Sequence, residues 1–245
     1  MPDSEASRFA IFGSGGFGRE VAWLARSDPS ERRTPVCFVD DGASGDGASE
    51  DEEREAKSTD VVPSEGSDLS ISRLPVLSLE RFTEHHADTP LVIAIGRPDI
   101  RRAIANRLTA GALRSTTLVH DGVRLSPSVV IGEGSIVCEG ALLTVDITLG
   151  RHVHVNLGCT IGHDSHIGDF TTLSPGVHVS GHVTIEPDVF IGTGAVILNG
   201  RSDAPLVIGA GSVIGAGAVV MKGTEPGGLY VGVPARLARA RGASG

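Results

Sequence analysis

Ile161-Gly-His-Asp-Ser-His166, Ile167-Gly-Asp-Phe-Thr-Thr172 and Leu173-Ser-Pro-Gly-Val-His178 are three consecutive hexapeptides, each opened by an aliphatic residue. The same step runs unbroken from Val119 through Leu125, Ile131, Val137, Leu143, Leu149 and Val155 to Val179, Ile185, Ile191 and Ile197, fourteen units in one phase. In thirteen of them the fifth residue is small or β-branched, as in Val123, Ser135, Ala141, Cys159, Thr171 and Ala195; Arg201 is the exception. A helix would repeat at 3.6 residues and a strand at 2, so period six points to a β-helix. In that fold each unit is a short strand plus a turn, and stacked coils bury one aliphatic core. Gly, Asp and Asn sit at the positions where the chain must turn.

Past Ser202 the phase slips. Arg201 to Val207 reads as a loop thrown out of the coil, after which Ile208, Ile214 and Val220 resume the step one position early. The tail Val231-Gly-Val-Pro-Ala-Arg236 closes the domain, and Arg236, Arg239 and Arg241 make a basic end.

Composition agrees with a narrow coil: aromatic residues are 4% while glycine numbers 33. No apolar run approaches the roughly 20 residues of a membrane helix, and Met1 to Arg8 is polar and acidic, so a cytoplasmic protein with no membrane partner is expected. Cys37, Cys138 and Cys159 are odd in number and far apart, which reads as reduced structural thiols. Of the net charge of -9, Asp41 to Asp60 contributes -6, from eight acidic residues against Arg54 and Lys57. The rest is near neutral, without the basic face a nucleic-acid partner would require.

The first 118 residues read as a separate α/β domain, Rossmann-like, with residues 119–245 forming the coil domain. Arg8 to Phe12 is an apolar strand running into Gly13-Ser-Gly-Gly-Phe-Gly18 and a helical segment, Arg19 to Arg26. A second strand, Val36 to Val39, ends in Asp40 and Asp41, where a ribose-binding acid sits in a nucleotide-binding βαβ unit. Gly13, Gly15 and Gly16 would let the backbone approach a diphosphate, with the helix N-terminus supplying N–H groups; the alternative is a turn that only packs helix on strand. Residues 42–66 are almost devoid of apolar side chains and are expected to form a disordered surface insertion. Leu91 to Ile95 reads as a buried strand ending at Gly96. Pro98 opens a helix over Asp99 to Thr109 with an apolar stripe of Ile100, Ile104 and Leu108, and Leu113 to Leu118 is a last strand.

If three hexapeptides close one coil, residues 18 apart stack about 4.8 Å from one another. Asp146, Asp164 and His182 then share a column, and Val145, His163, Gly181 and Asn199 the next. His163 and Asp164 occupy turn positions and should project outward, His163 as a general base beside a carboxylate and the Gly181 N–H facing a developing oxyanion. His152, His154, His166 and His178 read as surface histidines without a role. None of the six histidines from His152 to His182 shares a column, so a three-imidazole metal site would have to be assembled between subunits.

Taken in order, Phe12-Gly-Ser-Gly-Gly-Phe-Gly18, Phe38-Val-Asp-Asp41, Ile93-Ala-Ile-Gly96, Asn156 to Gly162 with His163-Asp164, Ser174-Pro-Gly-Val-His-Val-Ser-Gly181 and Val231-Gly-Val-Pro-Ala235 resemble the bacterial nucleotide-sugar and sialic acid acetyltransferases. The UDP-4-amino-sugar N-acetyltransferases belong to this group. The resemblance implies a homotrimer of left-handed β-helices, acetyl-CoA as co-substrate in the groove between two coils, and a nucleotide sugar or sialic-acid-type sugar held by the N-terminal domain. It assigns the general base to His163, its support to Asp164 and the thioester oxygen to the Gly181 backbone. Thr193 and Ala216 match the CoA channel, and Gly15, Gly16, Phe17, Asp40, Asp41 and Gly96 the nucleotide-sugar site. No metal is implied. Thr172 stands where members often carry a second histidine near acetyl-CoA, and His182 replaces an Asn-like residue. The column arithmetic places His182 over Asp164, so the two are expected to pair. Two other classes stay open: a trimeric nucleotide-binding scaffold without turnover, and a γ-type carbonic anhydrase with bound zinc.

Overall fold

The computed structural model describes residues 7–27, 33–40 and 74–240. Asp41, the expected insertion at 42–66 and Arg241 lie outside the described residues. The described residues fall into two compact units: those up to Ile95 together with Ile104–Thr116, and Gly96–Ala103 together with Thr117 onward.

In the first unit, β1 (Ser7–Phe12) is followed by α1 (Gly16–Ser27), β2 (Arg33–Val39), β3 (Val76–Leu77), α2 (Leu79–His86) and β4 (Leu91–Ile93). The four strands form a parallel sheet in the order β3-β2-β1-β4. Strands β1, β2 and β4 are apolar because both faces of this part of the sheet are covered: Ala10, Ile11, Val39, Leu91, Val92 and Ile93 are fully buried. Gly13, at φ +108°, turns the chain out of β1. A Cβ on Gly18 would overlap the Gly13 carbonyl, so α1 approaches the strand end as closely as it does only because residue 18 is glycine. Helix α2 was not foreseen. It is short, capped by the Ser78 hydroxyl accepting from the Arg81 N–H at 3.2 Å, and buries Phe82 alone.

The helix opened by Pro98 is present as α3 (Pro98–Ala110) and is divided between the two units. Beyond Pro98 its buried residues are Arg101, Ile104, Ala105 and Leu108, so an arginine takes the place given to Ile100 in the expected stripe. The expected strand at Leu113–Leu118 is also corrected. Only Leu118–Val119 is a strand, because Ser115 makes no more than an isolated bridge to Leu91.

The second unit is a left-handed parallel β-helix. Strands two or three residues long, from β5 (Leu118–Val119) to β21 (Val219–Val220), pair at the 18-residue step, as in Ile161 with Val179 and Val155 with Leu173. After Ile197 the step becomes 23, with Ile185 opposite Ile208, Ile191 opposite Ile214 and Ile197 opposite Val220. Five residues are therefore thrown out, in the loop where Arg201 and Ala204 bridge each other. From Val137 to Ile197 the first and fifth residues of the units fill the interior, Arg201 excepted: Leu149, Val155, Ile161, Ile167, Leu173, Ile191, Cys159, Val177 and Ala195 are all essentially without solvent contact. Each fully buried branched side chain contributes on the order of 1.5–3 kcal/mol relative to exposure.

The turns obey one rule. From Gly134 to Gly217 the fourth residue of each unit except the one opened by Ile197, where the loop leaves the coil, is left-handed, whether Gly134, Gly140, Gly158, Gly176, Gly194, Gly211 and Gly217 or Asp146, His152, Asp164, Phe170, His182 and Asp188 at φ +53° to +62°. Left-handed backbone costs a non-glycine residue about 1 kcal/mol or more. These six positions therefore carry backbone strain that the surrounding ladder holds in place.

Candidate active site

Asp164 and His182 are two of those left-handed residues, one coil apart, and His163 precedes the first. The ladder fixes their spacing, since the His182 N–H donates to the His163 carbonyl at 2.9 Å and the Asp164 N–H to the Val145 carbonyl at 3.2 Å. Side chains at these turn positions cannot point into the coil and so meet on its outside. The His163 Nδ1 lies 2.7 Å from the Asp164 Oδ2, and the His182 Nδ1 lies 3.8 Å from the same oxygen. The two imidazoles cross edge to face, with centroids 4.9 Å apart at 89°. Side-chain exposure is 54%, 48% and 28% for His163, Asp164 and His182, so the cluster is open to a ligand.

Gly181 completes the group. A Cβ there would lie 2.6 Å from the His163 Nε2 and 2.7 Å from its Cε1, so the ring rests directly on the Gly181 backbone. With Nδ1 committed to Asp164, the tautomer that fits carries its hydrogen on Nδ1 and leaves a lone pair on Nε2, beside that backbone. This is the arrangement of a base oriented by a carboxylate.

The other expected positions separate. Thr193 and Ala216 are exposed and stacked on one another, where the Gly217 N–H donates to the Thr193 carbonyl at 2.9 Å. They lie at the corner that carries Gly176, Gly194 and Gly217, one corner from His163. Thr172 is on neither surface: it is 2% exposed, and its hydroxyl donates to the Gly96 carbonyl at 2.8 Å while receiving the Arg101 Nη2 at 2.9 Å. That position is therefore a packing site rather than an open ligand contact.

Arg101 is the residue that sequence reasoning missed. Fully buried, it reaches the carbonyls of His152 at 3.0 Å and Phe170 at 2.7 Å, and its Nη1 lies 3.2 Å from the His154 Nδ1. Burial pulls the guanidinium down to about 9, which keeps it charged at neutral pH. His152 and His154 are accordingly not surface histidines. His154 lies under Arg101, and His152 stacks on Phe170 at 5.0 Å. Arg102 sits over the other part of that stack, 4.1 Å from the Phe170 centroid, and grips Asp188 with bonds of 2.8 and 2.7 Å. Of the six histidines, His166 and His178 remain exposed as expected.

In the first unit, Gly15 and Gly16 face open space and Gly13 packs on Ala94 and Ile95. Phe17 lies in the first turn of α1. Asp40 holds the glycine-rich turn: its Oδ2 accepts from the Ser14 hydroxyl at 2.6 Å and the Ser14 N–H at 3.2 Å. Gly96, in the second unit, also faces open space, and its carbonyl receives Arg101 as well as Thr172. No helix among the described residues is long and apolar enough to cross a membrane.

Two family models match the chain: the PglD N-terminal domain over residues 8–108 and the bacterial transferase hexapeptide (six repeats) over residues 164–199. A GDP-perosamine N-acetyltransferase of Escherichia coli O157:H7 is 29% identical over 232 residues, covering 93% of this chain and 95% of that protein. The structure of WeeI from Acinetobacter baumannii AYE is 32% identical with a TM-score of 0.75, over 94% of this chain and 100% of that one. The acetyltransferase domain of PglB from Neisseria gonorrhoeae FA1090, in complex with acetyl coenzyme A, is 28% identical with a TM-score of 0.76, over 95% of this chain and 100% of that one.

Proposed function

The chain belongs to the bacterial nucleotide-sugar acetyltransferases built from a PglD-type N-terminal domain and hexapeptide repeats, and on that footing we propose that it moves the acetyl group of acetyl-CoA onto the amino group of a nucleotide-linked amino sugar. It is an acetyl-CoA-dependent sugar acetyltransferase. The observation that carries the acyl-transfer reading on the chemical side is the His163 imidazole, tied to Asp164 through Nδ1 and resting with Nε2 on Gly181.

In this reading the acceptor nitrogen attacks the thioester carbonyl and its proton passes to the His163 Nε2, while Asp164 stabilises the imidazolium that forms. The tetrahedral oxyanion is met by the Gly181 N–H. Collapse expels the CoA thiolate, which takes the proton back from the imidazolium. Thr193 and Ala216 would line the run of the CoA chain. In the N-terminal unit, Gly13, Gly15, Gly16, Phe17 and Asp40 would receive the nucleotide sugar, with open backbone at Gly15 and Gly16 and the N-terminus of α1 facing a diphosphate. Gly96 is carried as a further sugar-site position by the resemblance. The name of the Escherichia coli relative supports an amine acceptor on a nucleoside diphosphate. A homotrimer is part of the proposal, supported by outward apolar side chains on the coil such as Val130 at 60% and Val145 at 46% exposure.

The test is CoA release from acetyl-CoA with a panel of nucleoside-diphosphate amino sugars, their hydroxyl counterparts and sialic acid, with the product identified by mass. Turnover on an amino sugar, absent with its hydroxyl counterpart, is the expected result. Release on none of the panel, or on hydroxyl acceptors alone, would overturn the proposal.

A further inference from the structure

We infer that His163, Asp164 and His182 form a binding site for a divalent transition-metal ion of the zinc type, and that an ion there silences the enzyme by taking up its base. The inference rests on the assignment of His163 made above. It adds a regulatory ligand to that residue.

The ligand atoms are already gathered. One ligand nitrogen from each of His163 and His182 and a carboxylate oxygen of Asp164 all lie within 4.8 Å of one another, with the Asp164 Oδ2 2.7 Å from the His163 Nδ1 and 3.8 Å from the His182 Nδ1. Around a tetrahedral zinc with bonds of about 2.0–2.1 Å, ligand atoms stand roughly 3.3 Å apart. One pair must open and another close by about half an ångström, a matter of side-chain rotation alone. The backbone needs no movement, because Asp164 and His182 occupy the same left-handed turn position on successive coils, laced by the His182 N–H to the His163 carbonyl. Two imidazoles and one carboxylate suit zinc, cobalt, nickel or copper, whereas magnesium and calcium require oxygen donors throughout. Three protein ligands leave a fourth position for water, and the exposure of the cluster gives the ion a path in.

The consequence for the reaction follows from the imidazole itself. A neutral ring has one lone pair. When Nδ1 gives it to a metal, the ring hydrogen moves to Nε2, and the nitrogen beside Gly181 becomes a donor that cannot accept the acceptor's proton. Asp164, ligating the same ion, no longer supports the base. His182 is the residue that makes this possible, since without it only a surface His-Asp pair is left.

The experiment titrates tag-free, chelator-stripped protein with zinc by calorimetry, with cobalt absorption reporting the coordination number, on the native chain and on His182→Asn. Asn is chosen because it accepts the left-handed backbone of this turn. One ion per chain, weakened at least about tenfold by the substitution, is expected, as is zinc inhibition of acetyl transfer in the native enzyme that the variant escapes at the same concentration. Absence of stoichiometric binding, or equal binding by both chains, would overturn the site. Transfer unaffected at saturating zinc would overturn the silencing. Because binding is read without substrate, a failure of the acetyltransferase proposal would show as lost turnover on every acceptor with the zinc titration unchanged.

Discussion

His163 is held from two sides, by Asp164 at Nδ1 and by the Gly181 backbone beneath Nε2, and the second contact is as specific as the first. A methyl group at position 181 would stand 2.6 Å from Nε2, so Gly181→Ala is expected to push the imidazole off its platform. The neighbour that must yield is an exposed side chain. The variant should therefore fold with an unchanged melting temperature while kcat falls by at least about tenfold. Measuring both on one preparation checks this, and unchanged kcat would show that the ring's seat does not matter. The cluster was legible in the sequence because a fixed 18-residue step turns spacing into adjacency: Asp164 with His182, and His163 with Gly181, are such pairs. The contact between His163 and His182 was not legible, since the two lie in neighbouring columns. Only the crossing of the rings brings their nitrogens into one group.

At the turns and in α3, hydropathy was a poor guide. Arg101 replaces Ile100 in the buried stripe because what it meets is a set of free acceptors, among them the His152 and Phe170 carbonyls and the Thr172 hydroxyl. A guanidinium satisfies those, and an isoleucine could not. The cue that could have found it is spacing alone, since positions 101, 104, 105 and 108 share one helix face. His152 illustrates the same point. Burial, then the charges of Arg101 and Arg151, push it down to about 4, and the Asp169 carboxylate opposes them only in part. Because the folded value lies below the ordinary value of about 6.5, the unfolded chain binds the proton more readily. Stability is thus full above about pH 6.5 and is lost as pH falls toward 4, by about 3 kcal/mol. Urea unfolding at pH 7.5 and 4.5 reads this loss directly. His152→Asn, which keeps the left-handed turn, should reduce the difference by about that amount, and an unaltered difference would remove His152 as its source.

Across the molecule, periodicity announced the coil from Val119 to Val220 and the slip past Ser202, because each buried position answers to a column of aliphatic neighbours; the loop expected over Arg201 to Val207 ends earlier, since Leu206–Ile208 is already a strand paired with Val183–Ile185. The N-terminal unit was legible as its first βαβ segment, the buried strand from Leu91 and the helix opened by Pro98, but not between them. Helix α2 buries a single phenylalanine and leaves no period to detect, and the grouping of Gly96–Ala103 with the coil depends on contacts far apart in sequence. If the exposed Val130 and Val145 mark faces between copies, light scattering should return about three times 25.3 kDa; a monomer mass would remove the trimer from the proposal. The decisive measurement is the pair of constants for His163→Ala against the native enzyme: kcat for acetyl transfer to the accepted amino sugar, and Kd for acetyl-CoA. A fall in kcat of about 100- to 10,000-fold with Kd unchanged is the result expected of a general base. Retention of kcat would contradict the assignment of the base, and with it the chemistry built on Asp164 and Gly181.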